Sequence, residues 1–153
     1  MTLVTDSADF DDPRLAAFLQ EHLDDLAPTA PPESQHALDL DGLRRPAVRM
    51  WCVEDPEGIV ATGALVVVEP AHEELKSMRT HPRARGRGLA RDLVGHLLDD
   101  ARTRGVRRVS LETGSQDFFL PARALYAKAG FEVCGPFGTY VLDPHSTYMT
   151  RMV

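Results

Sequence analysis

The run from His81 to Arg91, HPRARGRGLAR, holds four arginines and two glycines in eleven residues of a chain whose formal net charge is −6. Concentrated positive charge beside glycines is chemistry for an anion. The run lies between a strand-like segment and an amphipathic helix pattern. A strand that turns through glycine into a helix aims several unpaired backbone N–H groups at one spot. Those donors, with the positive end of the helix dipole, suit a phosphate. Gly86 and Gly88 leave the backbone open to a ligand and permit the positive φ angles of an anion nest. Arg83, Arg85, Arg87 and Arg91 would supply charge around the rim. On spacing alone the run also fits a solvated turn or an RNA-contacting segment. It matches neither the G-x-x-x-x-G-K-[ST] nucleotide loop nor the G-x-G-x-x-G dinucleotide fingerprint, which leaves a third kind of strand-to-helix phosphate turn.

The surrounding pattern supplies the elements that must hold this turn. A short opening strand is expected at Leu3 to Thr5. From Pro13 to Leu26, Leu15, Phe18, Leu19, Leu23 and Leu26 recur at helical spacing behind Asp11 or Asp12 as cap. Prolines in APTAPPESQ break that helix, and HALDLDGLRRP allows only a short second one. Val48 to Val53 and Ile59 to Val68 read as a hairpin around Asp55-Pro56-Glu57-Gly58, followed by a third strand from Glu74 to Thr80. Strand alternation puts Glu74, Lys76, Met78 and Thr80 on one face, and Leu75, Ser77 and Arg79 on the other. A helix from Gly88 to about Arg104 presents Leu89, Leu93, Val94, Leu97, Leu98 and Ala101 on one side and stops at Gly105. RRVSLET is a strand, Pro121 to Ala129 a helix ending before Gly130, and FEVC and TYMTRMV are two last strands. The expected fold is a single α/β domain over residues 1–153. Its mixed, mostly antiparallel sheet has about six to seven strands, flanked by about four helices.

Composition narrows the partners. A sequence pI near 5.4 argues against general nucleic-acid binding, which needs a basic face. No run of about 18 apolar residues is present, and the acidic opening MTLVTDSADFDDPR is unlike a signal peptide. A cytoplasmic protein without membrane association is expected. Cys52 and Cys134 sit singly in apolar runs, without metal-ligand spacing. They read as buried free thiols, with no metal.

Two motifs carry a resemblance. Arg85-Gly86-Arg87-Gly88-Leu89-Ala90 resembles the [Q/R]-x-x-G-x-[G/A] acetyl-coenzyme A motif of the GNAT N-acetyltransferase superfamily. This register puts Gly88 at the helix start and Pro82 just before the turn. Leu125-Tyr126 with Gly130-Phe131 is similar to the family's later L-Y-x-x-x-G-F. Element order agrees from Val48 onward, and LETGS, PARALY and PFGTYVLDPHSTYMT look like a bacterial branch whose acceptors are mostly unassigned. One departure stands out: many relatives carry asparagine seven residues before the tyrosine, where this chain has Phe119.

The resemblance implies direct transfer of an acetyl group from acetyl-CoA to a primary amine of a small molecule, peptide or protein. It implies no covalent enzyme intermediate. The chemistry is demanding on its own terms. An alkyl ammonium with pKa about 10.4 is only about 0.04% neutral at pH 7, a gap of roughly 4.6 kcal/mol, so a base or a dry site must help. By resemblance, Tyr126 is the acid near the thioester sulfur. Glu74 is the base, standing eleven residues before Arg85 as in histone-type members, with Glu112 and Glu73 as further candidates. Main-chain groups of Met78, Arg79 and Thr80 would meet the thioester and pantetheine. Arg85, Gly86, Arg87, Gly88, Leu89, Ala90 and Arg91 would meet the pyrophosphate. Leu125 is expected to fill the core in place of Tyr126.

The acceptor is expected between the early helices and the last hairpin. His36, Lys76, Glu112 and Phe118 are its candidates, with Tyr140, His145 and Tyr148 nearby. Each has a plainer role in packing or, for Glu74 with Lys76, in a surface ion pair. Two rivals remain: a non-catalytic acetyl-CoA-binding module of the same fold, and a nucleic-acid binder using the arginine run. A monomer or homodimer is expected.

Overall fold

The computed structural model of the chain describes residues 3–5 and 8–153. Its elements are β1 (Leu3–Thr5), α1 (Pro13–Leu26), α2 (Leu40–Leu43), β2 (Val48–Asp55), β3 (Gly58–Glu69) and β4 (His72–Thr80). They are followed by α3 (Leu89–Thr103), β5 (Arg108–Gly114), α4 (Leu120–Lys128), β6 (Glu132–Cys134) and β7 (Ser146–Met152). The strands form one seven-stranded sheet in the order β1-β2-β3-β4-β5-β7-β6. Only β4 and β5 run parallel, and every other pair is antiparallel.

Alternation along β2 explains why the sheet carries helices on both faces. Met50 and Cys52 face one way, joining Leu15, Phe18 and Leu19 of α1 and Leu43 of α2. Trp51 and Val53 face the other, joining Leu93, Val94, Leu97 and Leu98 of α3 and Tyr126 of α4. The helices bury one stripe each, as their 3.6-residue spacing requires. Asp12 caps α1 through a hydrogen bond from the Arg14 amide. Gly105 leaves α3 at φ 85, a left-handed stop that glycine adopts freely.

Element order and most bounds agree with the sequence reading. One expectation changes: Cys52 is buried, but Cys134 is only half-buried, because β6 is the edge strand. Both thiols are free, and burial pushes that of Cys52 up to about 12. Among the described residues no helix is long and apolar enough to cross a membrane.

Candidate active site

The site arises where two parallel strands part. Pairing of β4 with β5 runs from His72 opposite Arg108 to Leu75 opposite Leu111 and ends there. Immediately beyond, β4 bulges. Ser77 stands at φ 56, a left-handed conformation that non-glycine residues hold only where their surroundings enforce it. The β3 partner shifts register between Thr62 and Ala64. Thr62 Oγ1 donates to the Ser77 carbonyl at 2.8 Å. Gly63 has no space for a side chain, since a Cβ there would lie 2.7 Å from Met78 Sδ.

This bulge overturns the expected alternation. Met78 packs with Leu75 against the α3 and α4 cluster. Arg79 instead turns towards α1, where its guanidinium meets Asp25 at 2.7 Å and lies over Phe18. Glu74 and Lys76 share a side, but Met78 does not join them, because an extra residue in the bulge inverts every later side chain.

Two cavities open along the splayed strands, one of about 490 Å³ and one of about 150 Å³. Tyr126, Phe119, Met78, Ala122, His22 and Leu26 line both, so the cavities meet at these residues. The larger one extends along Met78, Arg79 and Thr80 to Arg85, Gly86 and Gly88, and then to Leu89, Ala90 and Arg91 at the start of α3. Gly88 caps α3 at φ 76 without a side-chain hydrogen bond. The first amides of the helix therefore find no acceptor within it. Gly86, at φ 79, has open space where a Cβ would be.

Two arginines of the run do other work. Arg87 folds back to donate to the Arg83 carbonyl at 3.3 Å and does not line the cavity. Arg83, expected on the rim, clamps the β2–β3 turn through Asp55 at 2.7 and 3.0 Å and Glu57 at 3.2 Å. Its guanidinium holds the Asp55 carboxyl well below the usual range. The acidic turn at the end of β2 thus holds this guanidinium through Asp55, the last residue of the strand, and Glu57.

Tyr126 is buried, edge-on to Phe131. Its hydroxyl has no hydrogen-bond partner among the described residues, and the residue lines both cavities where they meet. Burial raises its pKa, so it keeps its proton. The expected exchange of roles is reversed: Tyr126 fills the core, and Leu125 is half-buried on the wall of the larger cavity. Phe119 packs closely on Gly114, where a Cβ would fall 2.0 Å from the ring. Phe118 is 58% exposed and lines the larger cavity, not the smaller one expected for an acceptor residue.

The smaller cavity gathers Lys76, Glu112, His36 and His145. Burial raises Glu112, against the lowering effects of a hydrogen bond from Ser146 Oγ at 2.7 Å and of nearby His36 and Lys76. Glu74, the base implied by resemblance, lines neither cavity. Its Oε2 accepts from Tyr140 Oη and, at 3.3 Å, from Lys76 Nζ, which also donates to Tyr140 at 2.9 Å. Glu73 points to the other face, held by two 2.7 Å contacts from Arg104. Tyr140 is packed against His36, Phe137 and Tyr148.

Sequence reasoning missed His22. It sits at the i+7 position from Leu15 and i+4 from Phe18, on the apolar stripe of α1, and a polar residue there was the available signal. Burial, reinforced by the charge of Arg79, lowers it to about 4, so at neutral pH it meets the cavity junction uncharged. In the segment from Thr29 to Ala37 only His36 was expected at the acceptor side, and Thr29, Ala30, Ser34, Gln35 and Ala37 join it on the wall. Its prolines and short 3-10 turns signal only a loop.

Comparison with known proteins agrees with this architecture. The model of the acetyltransferase (GNAT) family matches residues 15–131. The chain is 42% identical over 149 residues to the uncharacterized N-acetyltransferase YedL of Escherichia coli, covering 97% of this chain and 92% of that one. It is 40% identical over 138 residues to the uncharacterized N-acetyltransferase YsnE of Bacillus subtilis, covering 90% and 91%. A Klebsiella pneumoniae protein solved as a candidate acyl-CoA N-acyltransferase superposes with a TM-score of 0.78 at 29% identity, over 99% of this chain and 97% of that one. The chain belongs to the GNAT family of acetyltransferases and is an acyltransferase enzyme.

Proposed function

We propose that this acyltransferase carries an acetyl group from the thioester of acetyl-CoA directly to a primary amine of a small molecule, peptide or protein. The observation that carries the reading is the meeting of two cavities at Tyr126, one leading to the uncapped start of α3 and the other to Glu112. The larger cavity fits the donor. Free amides at Leu89, Ala90 and Arg91, the helix dipole, and the side chains of Arg85 and Arg91 suit a pyrophosphate. The apolar stretch along Met78, Leu125 and Ala122 suits the pantetheine arm. The bulge frees main-chain groups of β4 from the β5 ladder, supplying a donor for the thioester oxygen as it gains charge.

Glu112 is the base in this reading. It faces the smaller cavity with its pKa raised by burial, whereas Glu74 is engaged with Tyr140 and Lys76. Glu112 takes a proton from the acceptor ammonium and passes it to solvent. The freed amine forms an N–C bond to the acetyl carbon as the C–S bond breaks. The departing sulfur takes the proton of the Tyr126 hydroxyl, and the second proton leaving the nitrogen restores it. The balance is ammonium plus thioester giving amide, thiol and one proton.

Calorimetric titration with acetyl-CoA, followed by thiol release against a panel of amines, tests the reading. Binding and amine-dependent release are expected. Tyr126→Phe should lower kcat by roughly 10²-fold with acetyl-CoA affinity unchanged. Binding without release on any amine would turn the reading towards a non-catalytic acetyl-CoA-binding module, and no binding would overturn it.

A further inference from the structure

The smaller cavity is chemically asymmetric in a way that narrows the acceptor. Because Leu75 pairs with Leu111, the next residues on the two parallel strands, Lys76 and Glu112, begin the splayed segment side by side. Both line the cavity. They carry opposite charges but form no ion pair with each other among the described residues.

Each keeps capacity for a ligand. An ammonium has three donors, and Lys76 Nζ uses two, on Glu74 Oε2 at 3.3 Å and Tyr140 Oη at 2.9 Å. Those two contacts hold the lysine head in place, with a side chain only 11% exposed. A carboxylate has about four acceptor sites, and Glu112 uses one of its oxygens, on Ser146. The wall therefore offers a fixed cationic donor and a partly buried anion on two strands that have just parted, so their separation exceeds the about 4.8 Å between the axes of paired strands. A ligand complementary to that pair carries a carboxylate and an ammonium a few bonds apart.

Size points the same way. At about 150 Å³, the cavity has room for on the order of ten water-sized groups. The segment from Thr29 to Ala37 walls it on the side of α1, and His145 does so on the side of β7. That is the scale of a free amino acid.

Resting on the acetyltransferase reading above, we infer that the acceptor is a small amino acid whose carboxylate is bound by Lys76 while its ammonium is presented to Glu112. A peptide or protein N-terminus lacks the adjacent carboxylate, since an amide bond has replaced it. A simple alkylamine leaves the third donor of Lys76 without its anionic partner, and loss of one contact to a charged group is worth about tenfold or more in affinity.

The test is thiol release at saturating acetyl-CoA with matched triplets drawn from the standard amino acids: the free acid, its carboxamide and its decarboxylated amine. The wild-type enzyme should prefer at least one free acid over both analogues by about tenfold or more in kcat/KM, mainly through KM. Lys76→Met should erase that preference, and Lys76→Arg should restore part of it. Turnover of the carboxamide, or of a short peptide, equal to or better than that of the acid by wild-type enzyme overturns this inference and leaves amine acetylation standing. Acetyl-CoA binding with no thiol release on any amine overturns both. The wild-type comparison holds even if a lysine variant fails to fold.

Discussion

Glu112 carries a penalty that its neighbours only partly offset. Burial favours its neutral form, so its pKa in the folded chain lies above the ordinary 4.5. The sign follows from linkage: this group's contribution to stability is full below the unfolded pKa and is lost as pH rises through the raised folded value. Glu112→Gln removes a charge that the folded state disfavours. The variant should melt at higher temperature than wild type at pH 7, with the difference closing below about pH 4.5. Its turnover should nevertheless fall by roughly 10²-fold and lose the acidic limb of the pH profile, because the proton acceptor is gone. Thermal melts and kcat/KM profiles across pH check both halves, and unchanged turnover would return the role of base to another group. At this scale the sequence offered three carboxylates and put Glu74 first only by resemblance. Glu74, Glu73 and Glu112 are equivalent as letters. Only the Arg104 contacts of Glu73, the Tyr140 contact of Glu74 and the cavity wall under Glu112 tell them apart, and all three depend on partners distant in sequence.

The start of α3 is the element on which the proposed donor binding turns. Gly88 stands at φ 76, and a Cβ there would come within 3.2 Å of the Arg91 guanidinium. Gly88→Val adds a β-branched side chain in a conformation that such residues rarely hold. It should reduce acetyl-CoA affinity by about 100-fold or more, as loss of a few kcal/mol implies. Arg83→Ala, five residues earlier, should leave that affinity nearly unchanged. It should instead lower stability, because Asp55 and Glu57 lose their partner. Paired calorimetry and thermal melts separate the two outcomes, and a large affinity loss for Arg83→Ala would put that residue back on the rim. Elements like this were legible because glycine spacing and the apolar stripe of α3 are local signals. The β4 bulge was not. Its cause is the Gly63 gap in β3 filled by Met78, together with Thr62 holding the Ser77 carbonyl, all contacts between strands. Strict alternation along HEELKSMRT therefore misassigned the side chains after Ser77.

On the scale of the whole molecule, the sheet does one mechanical thing. It holds β4 and β5 together as far as Leu75 and Leu111 and then lets them part. The gap divides into a long cavity ending in positive charge and a short one containing Glu112, with Tyr126 where they join. A chain of net charge −6 thus sets Arg85 and Arg91 at the end of the larger cavity where an anionic donor is expected, and local charge of this kind steers a ligand without changing the overall balance. The order of strands and helices could be read from periodicity. The joining of the cavities could not, because Phe119 against Gly114 and His22 against Arg79 bring together residues from separate elements. The most direct measurement is a crystal structure of the chain with acetyl-CoA. The account predicts the pyrophosphate on the amides between Gly86 and Arg91 and the thioester sulfur within hydrogen-bonding reach of Tyr126 Oη. A coenzyme bound elsewhere, or with its sulfur remote from Tyr126, would contradict it.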